Sequence, residues 1–171
     1  MSPFSESPNS GRPQVFQPPQ GDLAVLHGSG NPLLAQSVAN ELGVSLVPCR
    51  AMTFSEGNVF VQIKENVRGR NVILVDDFTI TARTLTTLAT ALKDRGAKDI
   101  YAAVTHGALS EGVAAMIGES CIRKMFMTDT IESLEEALPD NFEILPVAPI
   151  FAHAIRSIHE RTSVSLLFAN G

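Results

Sequence analysis

Val72-Ile73-Leu74-Val75-Asp76-Asp77-Phe78-Thr79-Ile80-Thr81-Ala82-Arg83-Thr84 is the stretch that decides the fold of this 171-residue chain. Its first four residues are aliphatic without alternation, the composition of a strand buried on both faces. Two carboxylates follow at once. Three threonines come next, ahead of a segment in which Leu85, Leu88, Ala89 and Leu92 recur at helical spacing. The pattern predicts a central strand, a polar loop at its carboxyl end from Phe78 to Arg83, and a helix stopped by Gly96. In open α/β sheets ligands bind beyond the carboxyl ends of the strands, so this loop is also the first place to look for chemistry.

Working toward the C-terminus, Ile100 to Val104 reads as the next strand, ending at Thr105-His106-Gly107. A short helix around Glu111–Ile117, strands at Lys124–Met127 and Glu143–Pro146, and a helix from Ala148 to Arg161 follow. Toward the N-terminus, Leu23 to Leu26 is a strand running into His27-Gly28-Ser29-Gly30. Asn31 is placed to cap a helix with Pro32 in its first turn. Leu34, Val38 and Leu42 share one face of that helix, and Gly43 ends it. Between these units lies a β-arm, with Val44–Val47 as one strand, Val59 to Lys64 as the other, and Phe54 to Asn58 as the turn. Phe60 faces away from the valines, so both faces of the arm are expected to meet something, such as a partner subunit. Strands alternating with helices predict one α/β domain over residues 22–171, a mostly parallel sheet with helices on both faces and a protruding arm. Residues 1–21 hold five of the ten prolines among Ser, Gln and Gly, the composition of a disordered tail.

The formal net charge of −5 disfavours sequence-independent nucleic-acid binding, which needs a basic surface to displace counterions. No run approaches the roughly 18 apolar residues of a membrane span, and the first residues lack a signal-peptide core, so a cytoplasmic protein without a membrane partner is expected. Cys49 and Cys121 have neither metal-ligand nor disulfide-framework spacing and read as buried thiols.

Three loops at strand ends are candidate sites: Gly28-Ser29-Gly30, Asp76 to Thr84, and Thr105-His106-Gly107. Carboxylates at the end of an apolar strand are costly unless they bind a cation, accept hydrogen bonds or stay solvated. Asp76 and Asp77 with Thr79, Thr81 and Thr84 fit a sugar phosphate, acids on the ribose hydroxyls and helix-start amides on the phosphate. They fit equally a plain structural role, the acids capping the loop and the threonines starting the helix. His106 reads more readily as a loop hydrogen-bonder than as a catalyst. His153 and His159 are expected to face solvent, and His27 is open to either role.

Taken together, Val72 to Asp77, Thr81, Thr84-Leu85, Ala91 to Lys98 and Ala103 to Gly107 resemble the C-terminal half of ribose-phosphate pyrophosphokinase, or PRPP synthetase. So do Thr128 to Ile131, Ala154 to Arg156 and Ser163 to Ser165. Phe54 to Gly57 and Val61 to Gly69 resemble the N-terminal part of the same family. The resemblance implies a hybrid in which the start of the family's first domain joins the end of its second at an equivalent strand, giving one phosphoribosyltransferase-type domain. It implies ATP or another nucleotide, ribose 5-phosphate or PRPP, and Mg²⁺ as ligands. It also implies a homo-oligomer, or a hetero-oligomer with a full-length synthetase, with the arm reaching a neighbouring subunit.

The site residues implied are Asp76, Asp77, Thr79, Thr81, Ala82, Arg83 and Thr84 for ribose phosphate, and Phe54, Glu56 and Asn58 for the nucleotide. Departures from the family pattern bear on activity. Ile80 stands where the family has a third acid, while Ala82 and Arg83 stand where it has two glycines. If a positive φ is needed there, Ala82 carries roughly 1 kcal/mol of strain. Arg83 either fills the phosphate space or pairs with the phosphate from its side chain. Glu56 and Asn58 replace the acids that the family prefers, while Phe54 is kept. The family's Arg-Gln-Asp contact to ATP, its metal-binding histidine and its mobile Lys and Arg loop have no counterpart here. Missing electrostatic donors should raise a phosphoryl-transfer barrier by several kcal/mol. The expected protein is therefore PRPP-synthetase-like but impaired or silent alone. The alternatives are a non-catalytic regulatory or binding homologue and a phosphoribosyltransferase.

Overall fold

The computed structural model describes residues 23–28, 30–53, 59–132 and 138–164. In chain order the elements are β1 (Leu23–His27), α1 (Pro32–Glu41), β2 (Cys49–Thr53), β3 (Val59–Ile63), β4 (Asn71–Thr79), α2 (Arg83–Asp94), β5 (Ile100–Gly107), α3 (Val113–Gly118), β6 (Ile122–Thr128), β7 (Phe142–Leu145) and α4 (Ala148–His159). Five strands form one sheet in the order β1-β4-β5-β6-β7, every neighbouring pair parallel. β2 and β3 make a separate antiparallel arm. The central place of β4 follows from its composition, since Asn71 to Asp76 are all buried.

The strand does not end at Val75. It continues through the two aspartates to Thr79, with Asp76 opposite Val104, Phe78 opposite His106 and Thr79 opposite Gly107. β5 is correspondingly longer than its apolar run, because a parallel partner of equal length supplies ladder hydrogen bonds that polar residues use as well as apolar ones. The seam between the N-terminal unit and β4 is regular, from Leu23 opposite Asn71 to His27 opposite Val75.

The sheet is covered unequally. On one face α2 buries Leu85, Leu88, Ala89 and Leu92 against Leu26, Leu74, Ala102 and Val104, and Val113, Ala114 and Ile117 of α3 join the same core. On the other face α1 packs against Val25, Ile73, Val75 and Tyr101. α1 does so through Ala35 and Ala39, not through the larger residues of the expected stripe: Leu34 and Val38 are half-buried and Leu42 is exposed. Small side chains let the helix backbone approach the sheet, which rotates the contact line by one residue. Asn31 Oδ1 accepts from the Leu34 N–H at 2.9 Å, and Gly43 at φ 66° ends the helix, as expected.

The first strand of the arm also differs. Val44–Val47 is not paired with β3; Leu46 forms an isolated parallel bridge to Val25, and the Val47 N–H donates to the Val25 carbonyl at 2.8 Å. The arm strand begins after Pro48, with Cys49 opposite Ile63. The open edge of β1 takes up Leu46 and Val47, which leaves β3 to pair with the residues after Pro48. Val61 and Ile63 anchor the arm on the main core while Phe60 points to solvent. The expected turn at 54–58 and the expected tail at 1–21 lie outside the described residues. Cys49 is buried and Cys121 only half-buried. Among the described residues no helix is long and apolar enough to cross a membrane.

Candidate functional site

The site is built from the end of β4 outward. Asp76 is 2% exposed, and its carboxylate lies against the loop that follows β1. Asp76 Oδ1 accepts from the Gly30 N–H and from the Asp77 N–H, each at 3.1 Å. A methyl group at Gly28 would overlap the Asp76 carboxylate, and one at Gly30 would overlap Asp77 Oδ1. Glycine is thus favoured at both positions by the close approach of two acids distant in sequence. Asp77 is half-buried and is the more open acid of the pair.

Beyond the acids the chain bends around a cleft of about 280 Å³ bounded by Asp76 and by residues 78–85. Thr79 is buried inside β4, with its carbonyl accepting from the Ala108 N–H at 2.9 Å. Its predicted place in a ligand loop is therefore corrected to a ladder position, although it still lines the cleft. Thr81 and Arg83 are exposed and Thr84 is half-buried. Ala82 is buried and left-handed, at φ 48° and ψ 9°, immediately before α2. No side chain caps the start of α2, so its first-turn amides and the positive end of its dipole belong to the cleft. The carbonyl of Ala82 instead accepts from the Thr86 N–H at 2.9 Å and from Thr86 Oγ1 at 3.1 Å, which fixes the turn from the helix side.

Asp76 and Thr79 to Thr84 line one cleft, and Asp77 lies beside it against Gly30. Phe54, Glu56 and Asn58 lie outside the described residues. His106 stands apart from a catalytic arrangement: its Nδ1 is 2.8 Å from Thr130 Oγ1, in a small network with Thr128 and the Thr105 carbonyl. Asp129 is likewise engaged structurally, its Oδ1 accepting from the Val147 N–H at 2.8 Å ahead of α4. His153 and His159 are exposed on α4. Burial pushes the Cys49 thiol up from its ordinary value. What sequence reasoning missed is the engagement of Asp76 by the glycine loop. The HGSG and DD motifs were both visible, but nothing in either says that they meet.

Among the described residues no group of three or more His, Cys, Asp or Glu side chains is placed to hold a metal ion. The donor set fits Mg²⁺ only in its usual looser form, in which one or two carboxylates, here led by Asp77, share the ion with ligand phosphates and water.

A parallel sheet with an acid pair on the central strand and an anion-ready turn before the next helix defines a phosphoribosyltransferase-type α/β domain. Solved structures agree. Phosphoribosylpyrophosphate synthetase from Mycobacterium smegmatis matches with a TM-score of 0.72 and 27% identity, over 82% of this chain and 46% of that one. APRTase from Giardia lamblia shares the fold, with a TM-score of 0.50 and 23% identity over 63% of this chain and 68% of that one. The chain belongs to the phosphoribosyl synthetase-associated domain family, whose model matches residues 24–169. Ribose-phosphate pyrophosphokinase of Staphylococcus saprophyticus is 33% identical over 175 residues, covering 86% of this chain and 54% of the relative. That of Caldanaerobacter subterraneus is 48% identical over 103 residues, 60% of this chain and 33% of the relative. The chain thus spans about half the length of the curated relatives it matches or less.

Proposed function

We propose that this chain is a PRPP-synthetase-like protein that binds a ribose phosphate at the Asp76 to Thr84 cleft and does not by itself transfer diphosphate from ATP. The observation that carries the reading is Ala82. A non-glycine residue in the left-handed region is costly, and such strain persists where surrounding structure over-determines it, most often at ligand sites. The turn keeps the open amides of α2 and Asp76 on one cleft, with Asp77 beside it, although the glycines that would relieve it are gone. The absence of turnover rests on an internal feature of the sequence. Gly69 is followed after one residue by β4, leaving no room for a mobile Lys and Arg loop or a metal-binding histidine between them. Mg²⁺ and the nucleotide belong to the same reading, the latter through Phe54, Glu56 and Asn58.

Incubation with Mg²⁺, ATP and ribose 5-phosphate, followed by ³¹P NMR, tests this. The expected result is no AMP or PRPP, with a ribose 5-phosphate line that broadens as protein is added. Formation of both products, lost on Asp77→Asn, would establish a working synthetase and overturn the silent reading.

A second strand of the proposal is association, with copies of this chain or with a longer synthetase. It is supported by the exposed Phe60 on the arm and by exposed apolar residues on α4. Regulation of a partner is the function that such a binding homologue would serve.

A further inference from the structure

Six of the thirteen Lys and Arg residues fall in three stretches that are distant in sequence: Arg68 to Arg70, Lys93 to Asp99, and Arg123. The fold lays these side by side at the amino ends of β4, β5 and β6, the end of the sheet opposite the cleft. The Gly69 N–H donates to the Gly96 carbonyl and the Lys98 N–H to the Arg70 carbonyl, both at 2.8 Å. The Val72 N–H reaches the Asp99 carbonyl at 2.9 Å, and Arg123 joins the row through an ion pair of 2.9 Å with Asp99. Within the three stretches only Asp94 and Asp99 oppose the six bases, although the whole chain carries a net charge of −5. Part of this charge serves the fold. Lys93 Nζ donates to the Lys98 carbonyl and Arg95 Nη1 to the Ala91 carbonyl, which closes the end of α2, and Arg70 Nη2 donates to the Leu23 carbonyl. Arg68 and Lys98 are exposed, and among the described residues their side chains make no hydrogen bond or ion pair. The Arg68 stem is nevertheless held in place, since a Cβ added at Gly96 would come within 3.3 Å of its Cγ.

We propose that this basic row is a docking surface for an acidic segment of a partner protein, a short run of Asp and Glu side chains. Like charges gathered on one surface repel one another, and an anion laid across them relieves that repulsion. Charge complementarity therefore sets the class of partner. Guanidinium groups match carboxylates through two parallel hydrogen bonds, and Arg68 and Arg123 are both exposed to make them. A long polyanion such as nucleic acid fits less well. It would run past the row onto a chain that is acidic overall, and these stretches offer no aromatic ring on which its bases could stack. A short acidic segment feels the row alone, because charges beyond a Debye length of about 8 Å are screened at physiological salt. The row lies away from the cleft, so this docking does not depend on what the cleft binds.

Fluorescence anisotropy of a labelled peptide of about eight glutamates, titrated with the full chain at roughly 50 mM salt, tests the proposal. Saturable binding is expected, and raising the salt to roughly 300 mM should weaken it by about tenfold or more, since exposed charges are screened. Arg68→Glu combined with Lys98→Glu should weaken it by roughly tenfold or more, two attractions becoming two repulsions. Arg50→Glu combined with Arg156→Glu changes the net charge equally, on the arm and on α4 and outside the row, and should weaken it by less than about threefold. Absence of binding, binding indifferent to salt, or equal losses in the two double variants overturns the proposal. Tighter binding of a duplex DNA than of the peptide, lost in the Arg68→Glu, Lys98→Glu variant, overturns the acidic-segment assignment in favour of nucleic acid. If that variant does not fold, Lys98→Glu alone decides. A loss of about threefold then supports the row, and an unchanged affinity overturns it.

Discussion

A single backbone angle gives the sharpest test of how this loop is held. Ala82 adopts φ 48° with its side chain buried, so its Cβ meets the steric penalty that glycine escapes. Replacing it with glycine removes about 1–2 kcal/mol of strain but restores freedom to the unfolded chain, which returns part of the gain. Ala82→Gly should thus stabilise by about 0.5–1 kcal/mol, read as a higher urea midpoint at unchanged slope. A lower midpoint would mean that the Cβ makes packing contacts worth more than the strain. Cys49 is a residue of the opposite kind, unstrained and inert. Its Sγ donates to the His27 carbonyl at 3.2 Å, and burial holds its thiol above the ordinary value. A raised folded-state value means that the thiol's contribution is complete below the unfolded-state pKa and is lost as pH rises through the folded one. Urea midpoints of the wild type should therefore fall more steeply between neutral pH and about pH 9.5 than those of Cys49→Ala, the unfolded thiol titrating near 8.5. Parallel slopes would show that Cys49 plays no part in alkaline destabilisation.

At the scale of elements, α1 tests how much the local sequence contributes. Its cap is the Asn31 Oδ1 bond to the Leu34 N–H, and Asn31→Ala should cost about 1 kcal/mol. A change within a few tenths would show that Pro32 and tertiary contacts fix the start of the helix alone. The cap, the proline and Gly43 were all legible, whereas the buried face was not. Large side chains dominate any periodicity reading, and Leu34, Val38 and Leu42 outweighed Ala35 and Ala39, the residues that meet the sheet. α2 suffered no such conflict, because Leu85, Leu88 and Leu92 are both the largest residues and the buried ones. β4 was legible in its apolar half and not in its polar half, since pairing with β5 through Thr79 depends on a strand about thirty residues further on. The arm was shifted for a similar reason, the β1 edge claiming Leu46. The candidate loop could be found from its acids and threonines, because its parts are contiguous. The contact of Asp76 with the Gly30 N–H could not, because it depends on a loop brought up by the parallel pairing of β1 with β4.

For the molecule as a whole, the uneven cover of the sheet is the feature with consequences. α1 covers β1, β4 and β5, but on the same face Phe126 is only half-buried and Leu145 is exposed. α4 leaves Ile150, Phe151, Ile155 and Ile158 exposed at 54, 61, 65 and 69%, while Ser157 is its one buried residue. Phe151, Ile155 and Ile158 follow an i, i+4, i+7 pattern, which places them along one side of the helix. Scattered apolar residues on a surface need no explanation, but a contiguous stripe of this kind marks an interface. The self-association proposed above would pair this surface with a second copy of the chain, because a helix bearing a single stripe is self-complementary about a two-fold axis. Sedimentation equilibrium at micromolar concentration should show self-association, and Ile155→Asp should shift the population to monomer. The same substitution should change monomer stability by no more than about 0.5 kcal/mol, since the side chain is mostly exposed there. A wild type that sediments only as monomer would remove the self-pairing. Were that monomer to co-sediment with a longer synthetase and to lose this on Ile155→Asp, the stripe would stand as an interface with a different occupant, and regulation of that partner would become the function to test.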